Sequence, residues 1–395
     1  MPRLLIQRAS VVLPDRVRPG HSVAVEDGKV VSVAPDDAIG GTFDETVDAD
    51  GCCLAPGFID LHIHGTHGFS VDDGPEALAG LCALLPRYGV TGFLPTLTAR
   101  PHDEHVDLLR SLSTAKTDGA AVLGFHLEGP YVALSGALPR GAVHPVRRRD
   151  VQALIEAARP CPAVFSISPE VDGILDVIPV MAANDTPVFV THTAATVSQT
   201  VAAIDAGARH ATHFYDVFPC PAETDRGVRP AGAVEAILAD GRVTVDFILD
   251  GEHVDPVAVK LALLCKGPEG VCLATDANVG AGLPPGRHRF GEHEVAFAFP
   301  GAPARFVDNP ACPNGLAGSG LTMDRAVRNA RDMLDVGIPQ AVRMASANPA
   351  AVLGLTEHKG AVREGCDADL VLLDDDLHVV KTWIGGTCCY SRKED

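Results

Sequence analysis

The chain has 395 residues and a formal net charge of −19, with 46% hydrophobic and 21% charged residues. That length suits one large barrel with a small accessory unit, and that apolar content leaves enough material for a large core rather than a disordered chain. So acidic a composition argues against nucleic acid or an anionic membrane as a partner, and an anionic substrate would need a local basic pocket.

The first residues, Met1-Pro2-Arg3 into Leu4-Leu5-Ile6, lack the long apolar stretch and small-residue cleavage site of a secretory leader. Apolar runs elsewhere are short and broken by Gly, Pro or charge, so no membrane span is expected. The eleven cysteines are scattered, with adjacent pairs only at Cys52-Cys53 and Cys388-Cys389 and no Cys-x-x-Cys spacing. This argues against a disulfide framework or a structural zinc site and points to a reducing cytoplasm.

In chain order, residues 3–53 alternate short Val/Ile-rich runs with turns, as in the stretch 22–33 around Asp27-Gly28, which predicts strands joined by a hairpin. Residues 57–64, 91–98, 121–128, 163–168, 187–192, 210–215, 244–250 and 271–276 then read as eight short buried strands. Ala/Leu-rich helical stretches fall between them, among them 76–88, 197–206, 231–240 and 256–265. Eight strand–helix units in succession predict a (β/α)8 TIM barrel over 55–354. The C-terminus returns to strand patterning at 368–373 and 379–384, with Gly385-Gly386 as a turn. Residues 1–54 and 355–395 are therefore expected to complete one small β-sandwich domain together.

Chemistry in such a barrel sits at the C-terminal strand ends. Here those ends read Asp60-Leu61-His62-Ile63-His64, His126-Leu127-Glu128, Thr191-His192-Thr193, Thr212-His213 and Thr275-Asp276. Strand alternation puts His62 and His64 on one side. Each residue alone has a plain reading, as a satisfied polar core group or, for Asp276, a helix cap. Costly polar groups at five separate strand ends, each after an apolar run, instead point jointly to a divalent metal site. Imidazole and carboxylate donors suit Zn²⁺ or Fe²⁺ over Mg²⁺ or Ca²⁺.

The stretch Pro56-Gly57-Phe58-Ile59-Asp60-Leu61-His62-Ile63-His64-Gly65 resembles the first-strand motif of the amidohydrolase superfamily. His126-Leu127-Glu128-Gly129-Pro130-Tyr131 is similar to a motif of the N-acetylglucosamine-6-phosphate deacetylases within it. Further similarities follow in family order: residues 89–98 (GVTGFLPTLT), Ser168-Pro169-Glu170, Ala211-Thr212-His213-Phe214-Tyr215, Asp250-Gly251-Glu252-His253-Val254 and residues 317–323 (AGSGLTM). The resemblance implies a homodimeric enzyme that hydrolyses an N-acetyl amino sugar to free amine and acetate. It implies metal ligation by Glu128, His192 and His213, a second ion held with His62 and His64, and Asp276 as general base and acid.

By the same resemblance His253, Arg229, Tyr215 and, through a shifted motif, His144 contact substrate. His253 has the competing reading of a helix-start residue near Asp255-Pro256, His144 that of a loop residue, and Arg229 and Arg226 that of surface charges. Asp216 stands where the family carries Asn. A carboxylate there meets a substrate phosphate as a like charge, and two like charges about 4 Å apart cost on the order of 1–4 kcal/mol at dielectrics of 80 to 20. A different, non-phosphorylated N-acyl amine therefore stays open as substrate. A cyclic-amide hydrolase, which needs a metal-bridging lysine after the fourth strand, finds only Ser168-Pro169-Glu170 there. A non-enzymatic metal-holding barrel is the remaining alternative; it has no use for a base such as Asp276.

Overall fold

The structure is a computed structural model that describes residues 3–138, 145–183 and 186–393. Eight parallel strands run around a barrel: Phe58–Ile63, Val90–Thr98, Phe125–Glu128, Ala163–Ile167, Val188–Val190, Ala208–Ala211, Thr244–Ile248 and Val271–Ala274. Each pairs with the next in sequence, and the ring closes where Ile63 bridges Ala277 and the Asp276 amide donates to the His62 carbonyl. The helices between and after them are Pro75–Leu84, His102–Ser113, Arg148–Ala158, Ile174–Ala182, Val197–Ala206, Ala233–Ala239, Pro256–Lys266, Met323–Leu334, Ile338–Ala345 and Ala347–Val352.

The strands are buried on both faces, as a parallel sheet under a helix layer must be. Phe93, Phe165, Val188, Val190 and Leu273 pack outward on the helices, while the alternate positions Leu94, Val164, Phe189 and Cys272 fill the inside. The helices follow local rules. Met323–Leu334 buries Met323, Ala326, Val327, Ala330 and Leu334 along one stripe. Val197–Ala206 starts in a capping box between Thr196 and Gln199. Asp255 caps the Val257 amide of Pro256–Lys266, whose first residue is a proline that has no amide to satisfy.

The terminal strands form a separate eight-stranded sheet in the order Thr387–Ser391, Val379–Ile384, Leu370–Leu373, Cys53–Pro56, Leu4–Val12, Val17–Glu26, Lys29–Pro35, with Glu45–Asp48 also paired to Leu4–Val12. Both chain ends therefore complete one sheet, as expected. Period-two alternation divides its faces: Leu370 and Leu372 join Leu4, Ile6, Leu54 and Trp383 in its own core, while Val371 and Leu373 join the barrel core.

One unit was not legible in the sequence reading. After the eighth barrel strand an antiparallel sheet of Gly286–Phe290, His293–Phe297, Pro303–Phe306 and Leu316–Ser319 is inserted before helix Met323–Leu334. Ser319 ties it to the barrel mouth, its amide donating to the Asp276 carbonyl at 2.7 Å. Among the described residues no helix is long and apolar enough to cross a membrane.

Candidate metal centre at the barrel mouth

The ends of strands five, six and eight differ from the expectation in a way that builds the site. The sequence predicts continuous strand over 187–192, 210–215 and 271–276, but the ladders stop at Val190, Ala211 and Ala274. In each case the second residue beyond the strand, His192, His213 or Asp276, has a left-handed backbone with φ of 46°, 32° and 45°. Non-glycine residues hold that conformation at a cost of about 1–3 kcal/mol only where their surroundings enforce it, and such strain clusters at functional sites. The threonines before them supply part of that enforcement. Thr275 donates to Asp60 at 2.6 Å and Thr212 to Asp246 at 3.2 Å, and the Asp246 carboxylate also accepts the His213 amide. Alternation alone could not show these turns, because an apolar run followed by Thr-His reads equally well as more strand.

The turned residues meet those of strands one and three at a single point. His192 Nε2 and His213 Nε2 lie 3.2 and 3.0 Å from Glu128 Oε1. His64 Nε2 lies 3.2 Å from Glu128 Oε2 and 3.3 Å from Asp276 Oδ1, and His62 Nε2 is 3.2 Å from both His64 Nε2 and Asp276 Oδ1. All six side chains are buried. Alternation thus placed His62 and His64 correctly on one side. Asp276 caps no following helix, since the inserted sheet comes next.

The donor set fits a divalent cation. Ligand atoms around a tetrahedral ion at about 2.0–2.1 Å stand about 3.3 Å apart. The observed edges match that spacing in the group His62–His64–Asp276, at 3.2–3.3 Å, and a second, looser group of His62, Glu128 and His213 overlaps it. Asp276 Oδ1, which faces His62 Nε2 and His64 Nε2, is buried without a well-aligned hydrogen-bond donor among the described residues, which leaves it free to meet a cation.

The same crowding shifts the titrations. Burial opposes charge on every group, yet the opposite charges outweigh it. His62, His192, His213 and His64 hold the Glu128 carboxyl well below its usual range, and His62 with His64 holds Asp276 low. Burial pulls against the imidazolium of His213, but hydrogen bonding to Glu128 raises its pKa to about 9; Asp276 and Glu128 likewise raise His64. His126 is the exception. Burial and the neighbouring His62 push it well below 6.5. As a neutral ring it donates from Nδ1 to the Leu61 carbonyl at 2.9 Å and accepts from the Ser166 hydroxyl at Nε2.

Two supporting acids to which the sequence assigns no role lie just beneath. Asp60 accepts from Thr275 and the His62 amide, and burial lifts its pKa to about 7. Asp246 is fully buried; burial raises its pKa, but His210 at 2.8 Å reverses the sign. The available signal was Asp at alternate positions of otherwise apolar strands.

The expected substrate-side residues divide. His253 is buried beyond the seventh strand, ahead of the Asp255 cap rather than at the helix start; its Nδ1 lies 2.7 Å from Asp250, whose charge raises the His253 pKa against burial. Asp216 is nearby on the turn after His213. Burial lifts its pKa to about 7 against the pull of His253, and its Oδ2 has no hydrogen-bond partner among the described residues. Tyr215 packs on Phe214 and Phe247 at centroid distances of 4.6 and 5.8 Å, and burial raises its pKa to about 12. Arg229 is 83% exposed and paired with Glu235 at 3.0 Å, outside the cluster. His144 lies outside the described residues. Glu170, after the fourth strand, is bound to the Thr193 hydroxyl and the Ala194 amide and is not part of the cluster.

The model of the Amidohydrolase family matches residues 53–222 and 272–389. The N-acetylgalactosamine-6-phosphate deacetylase of Escherichia coli O157:H7 is 34% identical over 372 residues, covering 93% of this chain and 94% of that protein. The N-acetylglucosamine-6-phosphate deacetylase of Bacillus subtilis is 30% identical, covering 99% of this chain and 98% of its own. The crystal structure of N-acetyl-D-glucosamine-6-phosphate deacetylase from Mycobacterium smegmatis superposes with a TM-score of 0.87 at 29% identity, over 98% of this chain and 99% of that one.

Proposed function

The chain belongs to the amidohydrolase family, and from that membership we propose that it is a divalent-metal-dependent deacetylase that converts an N-acetylated hexosamine 6-phosphate, N-acetylglucosamine-6-phosphate or a close relative of it, to the free amine and acetate. The observation that carries this reading is the convergence of His62, His64, Glu128, His192, His213 and Asp276 at tetrahedral-edge spacing on the barrel mouth.

In this reading Glu128, His192 and His213 would hold one ion, Zn²⁺ or Fe²⁺, and His62 and His64 would help hold a second. A bound divalent ion acidifies water to a pKa of about 7 and polarises a carbonyl. Asp276 takes the proton from the attacking water and returns it to the amine nitrogen as the carbon–nitrogen bond breaks. His126, neutral and fixed by Leu61 and Ser166, keeps the His62 ring turned inward. His253 and Asp216 meet the sugar, Tyr215 backs them, and Arg229 takes the phosphate by giving up Glu235. His144 stays a substrate contact on resemblance alone.

We assign the hydrolase unit to 55–354 and the accessory unit to 1–54 and 355–395. Eleven free cysteines support a reducing, cytoplasmic setting. A homodimer draws support from Val257, Leu261 and Leu264, which lie on one helix at 72%, 52% and 83% exposure.

The deciding experiment is acetate release by the zinc- or iron-reconstituted protein from N-acetylglucosamine-6-phosphate, N-acetylgalactosamine-6-phosphate and the two unphosphorylated sugars. A kcat/KM above roughly 10⁴ M⁻¹s⁻¹ on a phosphorylated sugar is the expected result. A second reading, a non-phosphorylated N-acyl amine as substrate, is favoured by one observation, the buried and unpartnered Asp216 carboxyl; preference for the unphosphorylated sugars selects it. Metal binding with no turnover of any N-acyl amine refutes both.

A further inference from the structure

Two segments from outside the barrel approach the cluster. The first follows the third strand: Leu134 exchanges bonds with His192, its amide to the His192 carbonyl at 3.1 Å and its carbonyl to His192 Nδ1 at 2.9 Å. Gly136 then passes so close that an added Cβ would stand 2.8 Å from His192 Cε1. The second is the inserted sheet. Its first hairpin pairs Phe290 with His293 across Gly291-Glu292, with Gly291 in the left-handed region at φ 58°. A two-residue hairpin loop of this kind is short and stiff. At its tip the Phe290 ring meets the His64 ring edge-on, centroids 5.8 Å apart. Behind it Phe290 packs with Ala137 against a core of Val295, Phe297 and Phe306.

The barrel order sets what faces this wall. Phe290 stands against His64 at the end of strand one, while the segment leading to Ala137 passes His192 and Val217 beyond strands five and six. Asp216 and His253 follow strands six and seven, three and two strands away from strand one around the ring. The side of the cluster at His64 thus carries an aromatic ring, and the side at strands six and seven carries a carboxyl and an imidazole–carboxylate pair. An amide carbonyl seated between them directs its two substituents to opposite flanks. The hydroxyl-bearing amine matches the polar flank, where donors and acceptors wait, and the alkyl end of the acyl group matches the ring.

We propose that Phe290 is a specificity-determining residue whose ring is the wall for the acyl group, limiting deacylation to short acyl chains. The inference rests on the amide-hydrolase reading above. Two extra methylenes would have to displace a ring held by a stiff hairpin and a packed core, and each methylene mismatch in an apolar pocket is worth roughly 10–200-fold in kcat/KM.

The test measures kcat/KM of the metal-loaded full chain on N-acetyl- and N-butanoyl-glucosamine-6-phosphate, with metal content determined in parallel. Phe290→Ala is expected to raise the butanoyl-to-acetyl ratio by roughly tenfold or more, and Phe290→Leu, which keeps an apolar side chain in the hairpin, by less. Should Phe290→Ala fail to fold, the Leu variant still decides. A ratio unchanged in a metal-loaded variant, while the wild type turns over the acetyl sugar, overturns the role of Phe290 and leaves the deacetylase standing. Absence of turnover of either compound by the wild type overturns the deacetylase reading and this inference with it.

Discussion

Loading a cation onto this cluster must expel protons, and the structure sets how many and how strongly they compete. In the metal-free protein the His213 ring titrates at about 9 and His64 well above 6.5, because Glu128 and Asp276 hold their imidazolium forms despite burial. A ligand nitrogen must be deprotonated to bind a metal. At pH 7, about two units below the His213 value, removing that proton costs about 2.7 kcal/mol, a roughly hundredfold loss of affinity; His64 adds to it. Apparent zinc affinity should therefore climb by roughly one to two decades per pH unit between pH 6.5 and 8.5 and level off above about 9.

The stability of the metal-free protein runs the other way. A group whose folded pKa is raised stabilises fully below its unfolded value of about 6.5 and loses that contribution as pH rises through the folded value, here about 9 for His213. Metal-free protein should thus lose stability from pH 7 to 9 while metal-loaded protein does not. Calorimetric titration in buffers of different ionisation enthalpy counts the protons directly, and chelator-buffered zinc gives the affinities. A flat affinity profile with no proton release between pH 7 and 8.5 would refute the imidazolium–carboxylate account of the cluster.

Three substitutions probe other parts of the argument. Asp276→Asn keeps Glu128, His192 and His213 for the ion but removes the proton acceptor, so metal content should persist while kcat falls by about 10²–10⁴; wild-type turnover would place the base elsewhere. Asp216→Asn removes a buried carboxyl that ionises near pH 7; kcat/KM on a 6-phosphate should rise at least about fivefold, from roughly 1 kcal/mol of relieved repulsion, and more at pH 8 than at pH 6, because only the ionised acid repels. An equal effect at both pH values would show that Asp216 does not face the phosphate. Asp246→Ala strands the His210 ring, the Thr212 hydroxyl and the His213 amide, all buried, and should destabilise by about 3–5 kcal/mol in thermal or denaturant unfolding, with metal content falling as His213 loosens; a change below about 1 kcal/mol would mean that the turn holds itself.

The sequence alone pointed to the barrel, because alternating apolar runs and helical stretches bury their surface in a parallel α/β arrangement and eight such units are the number that closes a barrel. It also determined which side chains are costly to bury, and so pointed to His62, His64, Glu128, His192, His213 and Asp276 before any of them could be placed. Both termini were legible as partners in one sheet from their period-two patterning. Only the tertiary structure decided where the strands stop. The left-handed turns at His192, His213 and Asp276 depend on contacts from neighbouring strands, as between Asp246 and the His213 amide, 33 positions apart. Local periodicity carries no trace of such long-range hydrogen bonds. The same holds for Asp60 and Asp246, buried acids that read as interruptions of apolar strands, and for Phe290, an ordinary alternating residue until the hairpin brings it against His64. Arg229 shows the converse, for its alignment with a motif said nothing of the exposed salt bridge to Glu235 in which the fold leaves it.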